Sequence, residues 1–113
     1  MTAVMKNILI LGGAGFLGSN LAAKLISDGH EVTCFDSLYT GRLVNLMPLR
    51  KSNRLNFVEG DIRNNFDFEN NFDVIFNLAC PASPPKYQSD ELFTLDTSYI
   101  GTKNALDFAL KNK

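Results

Sequence analysis

Cysteine, histidine and net charge are scarce in this chain, and long apolar runs are missing. Only two cysteines occur, Cys34 and Cys80, and neither sits in a CxxC or other metal-ligand spacing. No metal site is therefore read from them. Both follow apolar runs, which suits reduced thiols in a cytosolic protein. The single histidine, His30, stands at a helix–strand turn with no carboxylate or cysteine spaced to make it a ligand or a base. A formal net charge of −1 gives no electrostatic basis for holding nucleic acid or an anionic membrane. The small basic group Arg50, Lys51 and Arg54 reads as a solvated loop. No apolar run approaches the roughly 18 residues of a membrane helix. The start "MTAVMK" leads directly into a strand without a signal-peptide core, so the expected location is cytoplasmic.

What is present suits one globular domain. The chain has 113 residues, 45% of them hydrophobic and 20% charged, which argues against disorder. A chain of this length buries roughly two-thirds of its unfolded surface.

The pattern alternates. "KNILIL" (6–11) is a continuous apolar run closed by Gly12 and Gly13, as expected of a strand buried on both faces. Leu17, Leu21 and Leu25 then recur at helical spacing, widened by Ala22 and Ile26, and Gly29 provides a C′ stop. "EVTCF" (31–35) is a second strand ending at Asp36, followed by a short helix around 43–46 before Pro48. "LNFVE" (55–59) and "FDVIFNLA" (72–79) read as strands three and four. Asp90 is expected to cap a final helix burying Leu92, Leu95, Tyr99, Ala105, Leu106 and Ala109. Buried-type strands alternating with crossovers predict an α/β fold, a Rossmann-type doubly wound parallel sheet. It is incomplete, with about four strands in the order 3-2-1-4.

The first turn carries the chemistry. "LGGAGFLGSN" holds Gly13, Gly15 and Gly18 in GxGxxG spacing, and Gly12, Gly15 and Gly18 in GxxGxxG spacing. Such a turn between strand and helix brings bare backbone to a pyrophosphate at the positive end of the helix. Asp36, at the end of the next strand, is placed to accept hydrogen bonds from the adenosine ribose. A carboxylate there repels a 2′-phosphate, which favours NAD over NADP, although the nearby Arg42 could accommodate one. Asp61 in "GDIR" reads either as an adenine contact or as a turn residue after Gly60.

Strand four runs into "ACPASPPKY", where Pro81, Pro84 and Pro85 stiffen the chain. In the 3-2-1-4 order this loop lies across the crevice from the glycine turn. There it presents Ser83, Lys86 and Tyr87 in a preorganised way; a rigid connector without contacts is the alternative.

The segments "ILILGGAGFLGSNLAAKLISDGHEVTCFDSLYTGR", "NLACPASPPKYQ" and "TLDTSYIGTKNALDFA" resemble the N-terminal part of the extended short-chain dehydrogenase/reductases, the NAD-dependent epimerase/dehydratases that act on nucleotide sugars. The "PASPPKY" loop is most similar to the UDP-glucuronate decarboxylase branch. That resemblance implies oxidation of the sugar C4, loss of carboxylate from the β-keto acid, and re-reduction to UDP-xylose. It implies an NAD cofactor held by Gly12, Gly13, Gly15, Phe16, Leu17 and Gly18 at the pyrophosphate. Asp36, Ser37, Thr40, Gly41 and Arg42 would hold the adenosine, with Asp61 and Ile62 at adenine. Leu78, Ala79, Ala82 and Thr97 would contribute further cofactor contacts, and Pro84, Lys86 and Tyr87 would meet the UDP-sugar. Ser98 replaces the asparagine usual in the family's "NxxGTxN" pattern, and Cys80 stands where serine is common.

The family's catalytic tyrosine and lysine lie on the helix after strand five, beyond the segments found here, as does the sugar-nucleotide domain. Residues 1–113 are thus expected to form the N-terminal part of an NAD-binding domain with no catalytic residue of its own. Tyr99 and Lys103 repeat the catalytic spacing but align with the "GTxN" helix. A dTDP-glucose 4,6-dehydratase or UDP-sugar 4-epimerase fragment, or a non-catalytic dinucleotide-binding module, are the alternative readings. A flavin or methyl-donor fold would share the glycine turn but leaves the proline loop unexplained. An apolar strand-four edge without a neighbour predicts a homodimer, or pairing with a complementing C-terminal half.

Overall fold

The computed structural model describes residues 4–39, 41–49, 51–64, 66, 68, 71–79 and 91–111. Strands β1 (Asn7–Leu11), β2 (Glu31–Asp36), β3 (Leu55–Glu59) and β4 (Val74–Asn77) form one sheet in the order β3-β2-β1-β4. Every pairing is parallel, as expected for a doubly wound sheet.

The apolar run of β1 is explained by its central place. Ile8 and Ile10 face one side, packed with Ala22, Val32, Cys34 and Leu46. Leu9 and Leu11 face the other, with Phe35, Ile62, Ala105 and Phe108. Side chains alternate along a strand, so a strand covered on both faces needs apolar residues at every position. Each buried Leu or Ile contributes about 1.5–3 kcal/mol through its area removed from water.

Helix α1 (Phe16–Ser27) covers the first face. It ends in a Schellman motif: the Gly29 N–H donates to Ile26 O and the His30 N–H to Leu25 O, each at 3.0 Å. Gly29 takes φ +95°, which only glycine adopts readily. The buried positions of α1 are Gly18, Ser19 and Ala22, small residues that let the helix lie close to the turn before it. Leu17, expected in the stripe, is instead 68% exposed. A 3-10 helix, Leu43–Leu49, runs through Pro48 rather than stopping before it, because the fixed φ of proline suits a 3-10 turn.

β4 is shorter than the expected 72–79. Asp73 marks its start: its N–H donates to Asn7 O at 2.7 Å while its Oδ2 accepts the Asn7 N–H at 2.8 Å. Phe72 leaves the ladder for an aromatic cluster with Phe35, Phe66, Phe68 and Phe108, with ring centroids 5.1–6.1 Å apart. At the other end the Leu78 N–H still reaches Leu11 O at 2.7 Å, and β1 then turns away at Gly12.

The last helical stretch comprises α2 (Glu91–Asp96), a π-turn (Thr97–Gly101) and α3 (Thr102–Lys111). Thr97, Gly101, Ala105 and Phe108 form its buried side. Ala105 was expected there, and Ala109 is half-buried. Leu92, Leu95, Tyr99 and Leu106 were also expected inside, yet they are 63–69% exposed. The helix approaches Ile62 so closely that a Cβ on Gly101 would lie 2.6 Å from Ile62 Cγ2, so small residues occupy the contact. The expected cap, Asp90, lies outside the described residues. Among the described residues no helix is long and apolar enough to cross a membrane.

Candidate functional site

The parallel order brings three segments to the carboxyl end of the sheet: the turn after β1, the loop after β2 and the chain leaving β4. The turn is held to β2 by the Gly12 N–H, which donates to Phe35 O at 2.7 Å. Gly12 has φ +84°, and a Cβ there would strike the Leu78–Ala79 backbone at 2.5–2.9 Å. The glycine turn and the start of the proline loop are therefore in contact, as the strand order implied. A Cβ on Gly13 would run into the buried Cys34, and one on Gly18 into Gly12 O.

Gly15 differs. A Cβ there would meet only Gly12 O, at 3.4 Å, an ordinary distance. Among the described residues nothing demands glycine at this position, and none besides Gly12 O comes within 4 Å of such a Cβ. Gly15 is also the N-cap of α1, with no side-chain cap, and the first turn holds no acidic residue. Among the described residues no acceptor takes the N–H of Phe16, Leu17 or Gly18. An uncapped helix N-terminus beside open space fits an anionic diphosphate. The residues present thus fit the dinucleotide expected from the sequence.

Asp36 is 92% buried and already employed, being only 8% exposed. Its Oδ2 accepts the Ala14 N–H at 2.9 Å, and its Oδ1 accepts the Leu38 N–H at 2.7 Å. Each oxygen keeps a further lone pair for a ribose hydroxyl. Leu38 sits at φ +65°, a strained conformation for leucine that the Asp36 bond helps to hold. Gly41 is buried against the same carboxylate, where a Cβ would lie 2.6 Å from Oδ2. Ser37 is exposed and its Oγ accepts the Tyr39 N–H at 3.4 Å. Arg42 exposes its side chain and donates its backbone N–H to Ala14 O at 3.0 Å.

Of its two readings, Asp61 shows that of a turn residue. Its Oδ1 accepts the Arg63 N–H at 2.9 Å, closing a turn, and Arg63 Nη2 approaches Oδ2 at 2.6 Å. The hydrogen bond from the Arg63 side chain, above all, holds the Asp61 carboxyl below its usual range. The Ile62 side chain is buried in the core, so a base could meet only its backbone. Thr97 lies in the π-turn with its Oγ1 buried and, among the described residues, without a hydrogen-bond partner. Such turns recur at functional sites. Phe16 and Leu17 are 78% and 68% exposed beside the glycine turn, Leu78 is 38% exposed and Ala79 is half-buried. Thr40, Ala82, Pro84, Lys86 and Tyr87 lie outside the described residues, as do Ser83 and Cys80.

The Tyr99–Lys103 pair does not assemble a base. Tyr99 is 69% exposed, and Lys103 Nζ is bound to Asp107 Oδ2 at 2.8 Å. That bond raises the lysine pKa rather than lowering it. The His30 Nδ1 accepts the Lys6 N–H at 3.0 Å and serves the chain. Among the described residues no group of three metal-ligating side chains occurs. Sequence reasoning missed Asn45, whose Nδ2 donates to Ala14 O at 2.8 Å across 31 positions. No local signal marks such a contact.

Comparison with known proteins agrees with this geometry. The chain is 44% identical over 104 residues to UDP-glucuronic acid decarboxylase 1 of Danio rerio, covering 92% of this chain and 24% of that protein. It is 41% identical over 102 residues to the Arabidopsis thaliana UDP-glucuronic acid decarboxylase 1, covering 90% and 23%. Among solved structures, dTDP-glucose 4,6-dehydratase of Bacillus anthracis in complex with NAD superposes with a TM-score of 0.77 at 30% identity. That match covers 96% of this chain and 34% of the other. The chain thus spans about a quarter of the length of the curated relatives it matches. The family model for NAD dependent epimerase/dehydratases matches residues 8–113, and the chain belongs to that family.

Proposed function

We propose that this chain binds NAD as the first part of a nucleotide-sugar-modifying enzyme of the UDP-glucuronate decarboxylase type. The observation that carries the reading is the open, uncapped start of α1 at Gly15, next to the buried Asp36 carboxylate. In this reading the unpaired amides of Phe16, Leu17 and Gly18, at the end of the glycine turn, hold the diphosphate, and Asp36 holds the adenosine ribose while disfavouring a 2′-phosphate. The similarity to UDP-glucuronic acid decarboxylases supports a UDP-sugar as the substrate facing the proline loop. When bound, the nicotinamide supplies reversible hydride acceptance for oxidation at the sugar. The proton-abstracting tyrosine and its lysine are expected from a segment other than the described residues. The chain by itself is then a binding unit without turnover, which pairs with itself or with that segment.

Calorimetric titration of the folded chain with NAD, paired with amide exchange, tests this. Saturable one-to-one heat with protection of residues 12–18, and weaker binding of NADP, is expected. Absence of both heat and protection with either coenzyme, in a sample with a cooperative melt, overturns it. UDP-glucuronate should not be consumed unless a polypeptide carrying the tyrosine and lysine is added.

A further inference from the structure

Ala14 occupies the middle of the glycine turn and is fully buried. Three groups from one later segment grip its two peptide units. The Asp36 carboxylate accepts its N–H at 2.9 Å, the Arg42 N–H donates to its carbonyl at 3.0 Å, and Asn45 Nδ2 donates to the same carbonyl at 2.8 Å. A peptide unit is planar, so fixing the Ala14 carbonyl also fixes the direction of the Gly15 N–H that shares its plane, which donates to Gly12 O at 3.2 Å and so closes the turn that sets the start of α1. That unit leads into the uncapped start of α1. Asn45 itself is seated by its neighbour Leu46, which anchors the 3-10 helix in the core at 5% exposure.

We propose that Asn45 is a positioning residue for the diphosphate half of the ligand: it locks the Ala14–Gly15 peptide and thereby couples the segment 36–45 to the turn 12–18. The proposal rests on the dinucleotide reading above, because it concerns how that site is kept ready. Asn45 touches no ligand in this scheme. It acts through Ala14, and Arg42 continues to serve the same carbonyl when the amide is removed, so the fold itself does not depend on it. Asparagine is required rather than aspartate, since only the amide has N–H to donate to a carbonyl.

The ligand's two halves give the test. Wild type, Asn45→Ala and Asn45→Asp are titrated with adenosine and with ADP, and each variant's melting temperature is recorded. Loss of one bracing hydrogen bond should weaken ADP about three- to tenfold in Asn45→Ala, and further in Asn45→Asp, with adenosine unchanged. Amide exchange of Gly15 in the ligand-free chain should quicken in both variants. Equal weakening of adenosine and ADP, or unchanged ADP affinity, overturns the proposal. A wild-type chain that binds neither ligand speaks against the dinucleotide reading instead. In that case unchanged Gly15 exchange in Asn45→Ala still overturns the brace, and faster exchange sustains it.

Discussion

Replacing Gly15 by alanine should separate stability from binding. Gly15 has φ −75° and ψ 176°, which alanine adopts without strain, and the added Cβ would meet only Gly12 O at 3.4 Å. Reduced freedom of the unfolded chain contributes about 0.4–1 kcal/mol in favour of the variant. Alanine is a poorer N-cap than glycine by a similar amount, about 0.5–1 kcal/mol, so the two effects nearly cancel. With an unfolding entropy of about 2.1 cal/mol/K per residue, each 1 kcal/mol shifts the melt by about 4 °C in a chain of 113 residues. Gly15→Ala should therefore melt within about 2 °C of wild type. The same Cβ occupies the space proposed for the diphosphate, and displacing even one charge-assisted hydrogen bond, at about 1.5–3 kcal/mol, weakens NAD tenfold or more. Gly18→Ala is the control with the opposite signature. Its Cβ would strike Gly12 O and lie 2.9 Å from Gly13 Cα, both backbone atoms that cannot rotate aside. Overpacking of up to about 3 kcal/mol, less the roughly 1 kcal/mol that alanine gains in a helix, should lower its melt by about 8 °C. Differential scanning fluorimetry and calorimetry on both variants decide the matter. A Gly15→Ala chain that melts several degrees lower, or that binds NAD as wild type does, refutes the argument that this glycine serves a ligand.

Three further outcomes are expected. Because Arg63 holds the Asp61 carboxyl below its ordinary value of 3.8, that pair contributes stability above this pH and loses it as pH falls through the lowered value. Melting temperatures between pH 2 and 6 should accordingly show a smaller acid loss in Asp61→Asn than in wild type, and parallel curves would contradict the assignment. Burial, with a smaller contribution from Asp36, pushes the Cys34 thiol up to about 12, so in a Cys80→Ser background it should resist iodoacetamide at pH 8 until the chain unfolds. Rapid labelling of the native chain would show that the Gly13–Cys34 contact opens readily. Finally, β4 has no neighbour beyond it among the described residues, and sedimentation velocity should show association rising with concentration. A monomer persisting at high concentration would exclude pairing through that edge.

The parts legible in the sequence were those whose causes are local. "KNILIL" announced a strand buried on both faces because alternation leaves no position for a polar residue when both faces are covered, and Ile8, Leu9, Ile10 and Leu11 are each 2% exposed or less. The glycine turn, the Asp36 at the strand end and the Gly29 stop were legible because backbone conformation and strand termini impose residue types directly. The apolar content of 72–79 predicts a longer strand than β4 (Val74–Asn77), because apolarity does not distinguish pairing from packing. Phe72 is apolar for the sake of the aromatic cluster, and Leu78 lies past the point where Gly12 turns its partner strand away.

The last helix shows why periodicity alone could not choose a face. Its sequence holds two stripes at helical spacing: Leu92, Leu95, Tyr99 and Leu106 on one side, and Thr97, Gly101, Ala105 and Phe108 on the other. Hydropathy favours the first, yet the second is buried. The deciding quantity is distance, since Gly101 lies against Ile62 where any side chain would collide. Asn104 Nδ2 then reaches Ile62 O at 2.8 Å, a bond that a bulky contact residue would hold open. Close approach selects small residues, and small residues score as weakly hydrophobic, so the tightest contact in a fold can be the faintest in its pattern. The same reasoning applies to Ala14 and Asn45, whose contact spans 31 positions and leaves no periodic trace. In this chain the side chains that shape the candidate site hold backbone groups at short range, and an inward glycine or asparagine informs about the site more than an outward leucine does.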